Sequence, residues 1–204
     1  MYPAAPSGTA VLSLAVDPVT PSTLYLVYWS SPSLRVWGIL KSTDSGENWT
    51  ELDTGLPPYA DVGFPDPYAV PVLAVSTTTP ATVYTGYFQS LPALPADGHL
   101  AKSTDGGAIW NAADAGLSYV DVRAVAVDPV NPSRIYAGLS GAPSAIPLFR
   151  SADGGVNWTS FAQFELSYPT GSCWISSLLV DPANANVIYT AANGASNYSA
   201  VFKT

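Results

Sequence analysis

Residues 102–110 read KSTDGGAIW, and shortly after them residues 122–136 read VRAVAVDPVNPSRIY. Both strings recur. The first is Ser-x-Asp-x-Gly-x-x-Trp. It stands as Ser42, Asp44, Gly46 and Trp49, as Ser103, Asp105, Gly107 and Trp110, and as Ser151, Asp153, Gly155 and Trp158. A basic residue precedes each serine: Lys41, Lys102 and Arg150. The second is an apolar run, a turn and another apolar run ending in tyrosine. It occurs at 11–25 (VLSLAVDPVTPSTLY) and 122–136, with looser copies at 70–84 and 175–189. Asp17, Ser76, Asp128 and Asp181 hold the same place in these copies, 59, 52 and 53 residues apart. Two signatures in phase over such a period mark a repeat architecture.

A repeat of about fifty residues has room for four strands of five or six residues with their turns, which is one blade of a β-propeller. Strand A is the run before the Asp-Pro turn, and strand B is the run ending in tyrosine. Strand C leads into the serine (VWGILKS, HLAKS, PLFRS), and strand D begins at the tryptophan. In VLSLAV both alternating faces are fairly apolar, as expected of a sheet covered on both sides. The expectation is an all-β chain, a β-propeller of about four blades of four antiparallel strands with the last incomplete. It forms a single partial propeller over 1–204, with blades near 9–56, 68–117, 120–166 and 173–204. VFKT at 201–204 aligns with LFRS at 148–151, which predicts about fifteen strands in an open arc or a fragment of a larger propeller. Open blade edges invite further pairing, self-association included.

The Ser-x-Asp turns read as structural. The aspartate can accept hydrogen bonds from turn N–H groups, as in an Asx-turn. The glycine supplies a conformation that a β-carbon resists, and the tryptophan fills space between blades.

Composition narrows the partners. Seven basic and fifteen acidic residues give a net charge of −8. Nucleic-acid affinity draws on clustered cations, and these are scattered, so neither nucleic acid nor an anionic membrane surface is expected as a partner. No apolar stretch approaches a membrane span, so no membrane insertion is expected. Cys173 stands alone, and the lone His99 leaves a zinc site short of ligands. No metal and no cofactor are expected, and no phosphate- or dinucleotide-binding glycine loop is found.

The paired motifs resemble the Asp-box (bacterial neuraminidase repeat) superfamily of β-propellers, most closely its sortilin-like and xyloglucanase-like bacterial branches. The resemblance implies the propeller fold, with the Asp-boxes as turn motifs remote from any active site. It spans sialidases, sortilin-type receptors, xyloglucanase-type glycoside hydrolases and photosystem II assembly factors, so it does not settle an activity. Sialidase chemistry would need an arginine triad. Of Arg35, Arg123, Arg134 and Arg150, the last holds the repeated basic position, which disfavours that branch. The xyloglucanase branch uses two carboxylates facing each other across a cleft.

Function is expected on the non-repetitive face, where the B–C and D–A loops lie. The long loop at 55–69 (GLPPYADVGFPDPYA) carries Tyr59, Phe64 and Tyr68, together with Asp61 and Asp66, the candidate catalytic carboxylates. Trp29, Phe88, Tyr168 and Trp174 complete the candidate ligand-binding set. Aromatic faces with a few carboxylates suit sugar rings or peptides, although aromatics also pack loops onto scaffolds. The first expectation is a non-catalytic extracellular or cell-surface propeller binding a protein or polysaccharide. The alternative is a glycoside hydrolase of xyloglucanase type, less readily a sialidase, and behind it stands a scaffold like the photosystem II assembly factors.

Overall fold

A computed structural model describes residues 9–30, 36–52, 55–56, 72–79, 81–89, 97–117, 122–141, 145–165, 173–194 and 198–204. Among the described residues there are fifteen strands and no helix. The first blade holds β1 (Thr9–Val16), β2 (Leu24–Ser30), β3 (Val36–Ser42) and β4 (Thr50–Glu51). The second holds β5 (Val72–Val75), β6 (Val83–Gln89), β7 (Asp97–Ser103) and β8 (Asn111–Ala112). The third holds β9 (Val122–Val127), β10 (Ile135–Gly141), β11 (Ala145–Ser151) and β12 (Thr159–Glu165). The fourth holds β13 (Cys173–Val180), β14 (Ile188–Gly194) and β15 (Tyr198–Lys203). Within each blade, consecutive strands pair antiparallel. The first strands of successive blades touch in chain order, β1 on β5, β5 on β9 and β9 on β13. This is the β-propeller arrangement.

One register position repeats in all four blades. The tyrosine closing the second signature faces the basic residue before the serine: Tyr25 and Lys41, Tyr84 and Lys102, Tyr136 and Arg150, Tyr189 and Lys203. The first strands share a second feature. Leu12, Arg123 and Ser176, each five residues before its turn aspartate, are skipped in the pairing with the next strand. Such bulges sharpen strand twist and re-aim side chains.

Two details differ from expectation. The strand after the tryptophan begins one residue beyond it, and in the first two blades it is only two residues long. The third and fourth blades are also stitched together, because Ser140 and Gly141 of β10 pair with Trp174 and Cys173 of β13. β9 pairs with β10 only as far as Leu139, so the last two residues of β10 meet the next blade instead.

The cores lie between blades. Tyr25, Val27 and Ile39 of the first blade pack on Ala81, Val83, Ala101 and Trp110 of the second. Tyr84, Leu100 and Leu117 of the second pack on Val122, Ile135, Leu139 and Trp158 of the third. Tyr136 and Leu148 of the third pack on Ile175, Leu178 and Ile188 of the fourth. The second and third blades each contribute to two of these cores, and burial on both faces explains why their strands lack a clean polar face.

Candidate functional site

The two ends of the strands differ in kind. At one end, the aspartates of the Asp-Pro turns each accept two turn N–H groups. Asp17 Oδ1 takes Val19 N at 2.8 Å and Thr20 N at 3.0 Å, and Asp128 Oδ1 takes Val130 N and Asn131 N at the same distances. Asp181 does likewise with Ala183 and Asn184. Ser76, standing in for aspartate, receives Thr78 N and Thr82 N on its hydroxyl. These residues were legible as a register mark; their capping role was not assigned.

The Ser-x-Asp turns sit beside them. In each, the serine hydroxyl donates to the aspartate at 2.6–2.7 Å and accepts the glycine N–H at 2.8 Å. The backbone and side-chain amides of Asn48 donate to Asp44, and those of Asn157 donate to Asp153. These donors, with the serine hydroxyl, hold both carboxyls down at about 2. Asp105 is lowered as well, by the Ser103 hydroxyl and then the Ile109 N–H. A general acid needs a proton to give near the working pH, so carboxylates held in this way suit turn formation rather than proton transfer. The residue before each glycine also donates its N–H to the neighbouring turn: Ser45 to Ser22 O, Gly106 to Ala81 O, Gly154 to Ser133 O. Both sets of turns therefore lie on one face.

This face also fastens blade to blade. The Tyr25 hydroxyl and Lys41 Nζ of the first blade donate to the Gly106 carbonyl of the second, at 3.3 and 2.8 Å. Tyr84 and Lys102 repeat this on Gly154 of the third, at 3.2 and 2.7 Å. Burial, with a smaller contribution from the Asp17 charge, raises the Tyr25 hydroxyl to about 12, and burial pushes Tyr84 up too, so both stay protonated as donors. The third blade departs from the pattern. The Tyr136 hydroxyl reaches Ala185 O, and the Arg150 guanidinium lies 4.9 Å from the Phe161 ring centroid. Further out, a β-carbon on Gly55 would meet the Trp110 carbonyl at 2.5 Å, and one on Gly116 would meet that of Trp158 at 2.9 Å. The chain after each short fourth strand thus presses on the next blade's tryptophan. These joints were missed by sequence reasoning, although the repeated Lys/Arg and Tyr positions and the two Gly-Leu pairs were signals.

At the opposite end, Trp29 and Phe88 occupy the same register position near the ends of β2 and β6, each twelve residues past its turn residue. Five strand residues, about 17 Å, separate Trp29 from the turn face. Trp29 pairs across strands with Trp37, an aromatic not singled out from sequence because it falls inside a strand. Phe88 faces Gly98. Trp174 lies at this end too, half-buried, its backbone register spanning Asn193 and Ser140. Trp29, Phe88 and Trp174 are thus brought to one end of three blades. Tyr59, Asp61, Phe64, Asp66, Tyr68 and Tyr168 lie outside the described residues. Among the described residues no group of His, Cys, Asp and Glu is placed to hold a metal, and no helix is long and apolar enough to cross a membrane.

No protein-family model matches the chain. The curated Xyloglucanase Xgh74A of Acetivibrio thermocellus is 28% identical over 172 residues, covering 72% of this chain and 19% of that protein. The solved GH74 xyloglucanase of Xanthomonas campestris matches with a TM-score of 0.59 and 22% identity, over 88% of this chain and 26% of the other. The Trypanosoma rangeli sialidase matches with a TM-score of 0.55 and 13% identity, over 91% and 30%. The chain therefore spans about a fifth of the curated relative and about a quarter of the solved xyloglucanase. At these identities the structural likeness is one of fold, and the fold is that of the β-propeller.

Proposed function

We propose that the chain is a segment of an Asp-box propeller from a glycoside hydrolase of xyloglucanase type, handling a β-glucan polysaccharide on the face away from the Ser-x-Asp turns. The observation that carries this reading is the 28% identity to a xyloglucanase across 72% of the chain. It favours the hydrolase alternative over the non-catalytic receptor that sequence reasoning put first. Trp29, Phe88 and Trp174 stand at one end of three blades, and in this proposal their rings stack on those of the sugar. Tyr59, Phe64, Tyr68 and Tyr168 extend that surface in this proposal, and Asp61 and Asp66 are the candidates for acid and base across the glycosidic bond. In this reading the protein works outside the cell or on its surface, where a polysaccharide too large to cross the membrane unaided is met.

Affinity electrophoresis of the chain in gels containing xyloglucan, unsubstituted β-glucan or sialylated glycan tests the binding. Retardation by xyloglucan is expected, with Trp29→Ala and Trp174→Ala each weakening binding about fivefold or more. Stacking losses of about 1 kcal/mol per ring correspond to such a change. Equal mobility in all three gels would exclude the reading. Asp61→Asn and Asp66→Asn in the polypeptide that carries hydrolytic activity are expected to lower turnover while leaving retardation unchanged.

A further inference from the structure

We infer that Gly138 and Ser140 of β10 are positioning residues for Trp174, so that the third blade sets a part of the polysaccharide site that the fourth presents. The inference rests on the reading of that site given above. β10 changes partners along its length. Its pairing with β11 runs to Gly138 and its pairing with β9 to Leu139. Its last two residues, Ser140 and Gly141, pair instead with Trp174 and Cys173 of β13. Among the described residues, this is where strands of two blades share one sheet. Trp174 therefore has Asn193 of its own blade on one side and Ser140 of the neighbouring blade on the other. Backbone paired on both sides gives the half-buried indole a fixed base.

Gly138 makes the approach possible. A β-carbon there would stand 2.6 Å from Ile175 Cγ2 and 2.7 Å from Ile175 Cβ. Ile175 follows Trp174 in the chain and is 0% exposed. Its branched side chain is stiff, and the packed core around it leaves no room to retreat. A side chain at position 138 would thus push β13 away from β10, and Trp174 with it. The second blade repeats this seat without the shared pairing. Gly86 holds the place of Gly138, and Val122 holds the place of Ile175. A β-carbon on Gly86 would lie 3.0 Å from the Val122 carbonyl oxygen. Beyond Gly86, Tyr87 and Phe88 stay paired with His99 and Gly98 of β7. The glycine seat brings neighbouring blades close at this end, and in the third and fourth blades the added pairing ties down the residue that carries the ring. A ring held in place before the sugar arrives loses less freedom on binding than one that must be ordered.

Affinity electrophoresis in xyloglucan gels tests this as a double-mutant cycle, with circular dichroism reporting whether each variant is folded. Gly138→Ala separates the strands. Ser140→Pro removes a backbone donor at the strand's end, and it decides the matter if Gly138→Ala does not fold. Each is expected to weaken retardation about threefold or more in the parent chain. In a Trp174→Ala background each is expected to cause no further loss, because its effect passes through the ring. A merely structural role would give losses that add to that of Trp174→Ala. Additive losses, or variants retarded like the parent, overturn the inference and leave the reading of the site standing. A parent chain that xyloglucan does not retard overturns that reading, and the inference with it.

Discussion

Ser45 is the non-glycine residue among those described whose backbone occupies the left-handed region, at φ of 63°, where the other two copies of the turn place Gly106 and Gly154 at 72°. A β-carbon in that conformation costs roughly 1–2 kcal/mol, and glycine returns part of the gain through its freer unfolded chain, about 0.4–1 kcal/mol. Ser45→Gly is therefore expected to stabilise by about 0.5 kcal/mol, read as a melting midpoint raised by about 1–2 °C. Gly154→Ala is the opposing control. It strains the turn and sets a β-carbon 3.1 Å from Lys102 Nζ, so it is expected to lower the midpoint. A Ser45→Gly variant that melts earlier than the parent would show that the serine side chain contributes something its exposed position does not suggest.

The Ser-x-Asp turn as an element depends on an ionised carboxylate. Asp44 and Asp153 sit at about 2, and Asp105 is also lowered, because serine and backbone donors point at the charged form. The stability this confers is fully present above the ordinary aspartate range and is lost as pH falls from about 4 through about 2. Melting midpoints are expected to hold level down to about pH 4 and then drop. Asp44→Asn and Asp153→Asn, which lose the titrating group, are expected to flatten that drop and lower the midpoint at neutral pH. An equally steep acid transition in the double variant would place the acid sensitivity elsewhere. These turns were the most legible part of the chain, because their chemistry is local: serine, aspartate, glycine and tryptophan act on neighbours within a few residues. The first two strands of each blade were legible as largely apolar runs on either side of a turn, and the third from its place ahead of the Ser-x-Asp turn or its equivalent. The shortness of β4 and β8 was not legible, because the chain leaves the sheet to press Gly55 and Gly116 on the next blade, a contact between distant residues. The aromatic end was only half legible. Trp29 and Phe88 share a register that sequence spacing contains, but aromatic residues serve packing and binding alike, and Trp37 was hidden inside a strand.

At the scale of the whole molecule, the main contacts between blades among the described residues join blades adjacent in chain order. Stability in such an array approximates a sum of blade terms and joint terms. The second and third blades each contribute to two buried cores, while the first and fourth contribute to one. Opening is therefore cheaper at the ends than in the middle. Amide exchange at low protein concentration is expected to be slowest for Val83–Thr85 in β6 and Ile135–Ala137 in β10. The register-equivalent Ile188–Thr190 in β14 is expected to exchange about tenfold faster or more, since Tyr189 is exposed where Tyr84 and Tyr136 are buried. Uniform protection across the three strands would mean that the array opens as one unit and that its joints are stronger than its blades.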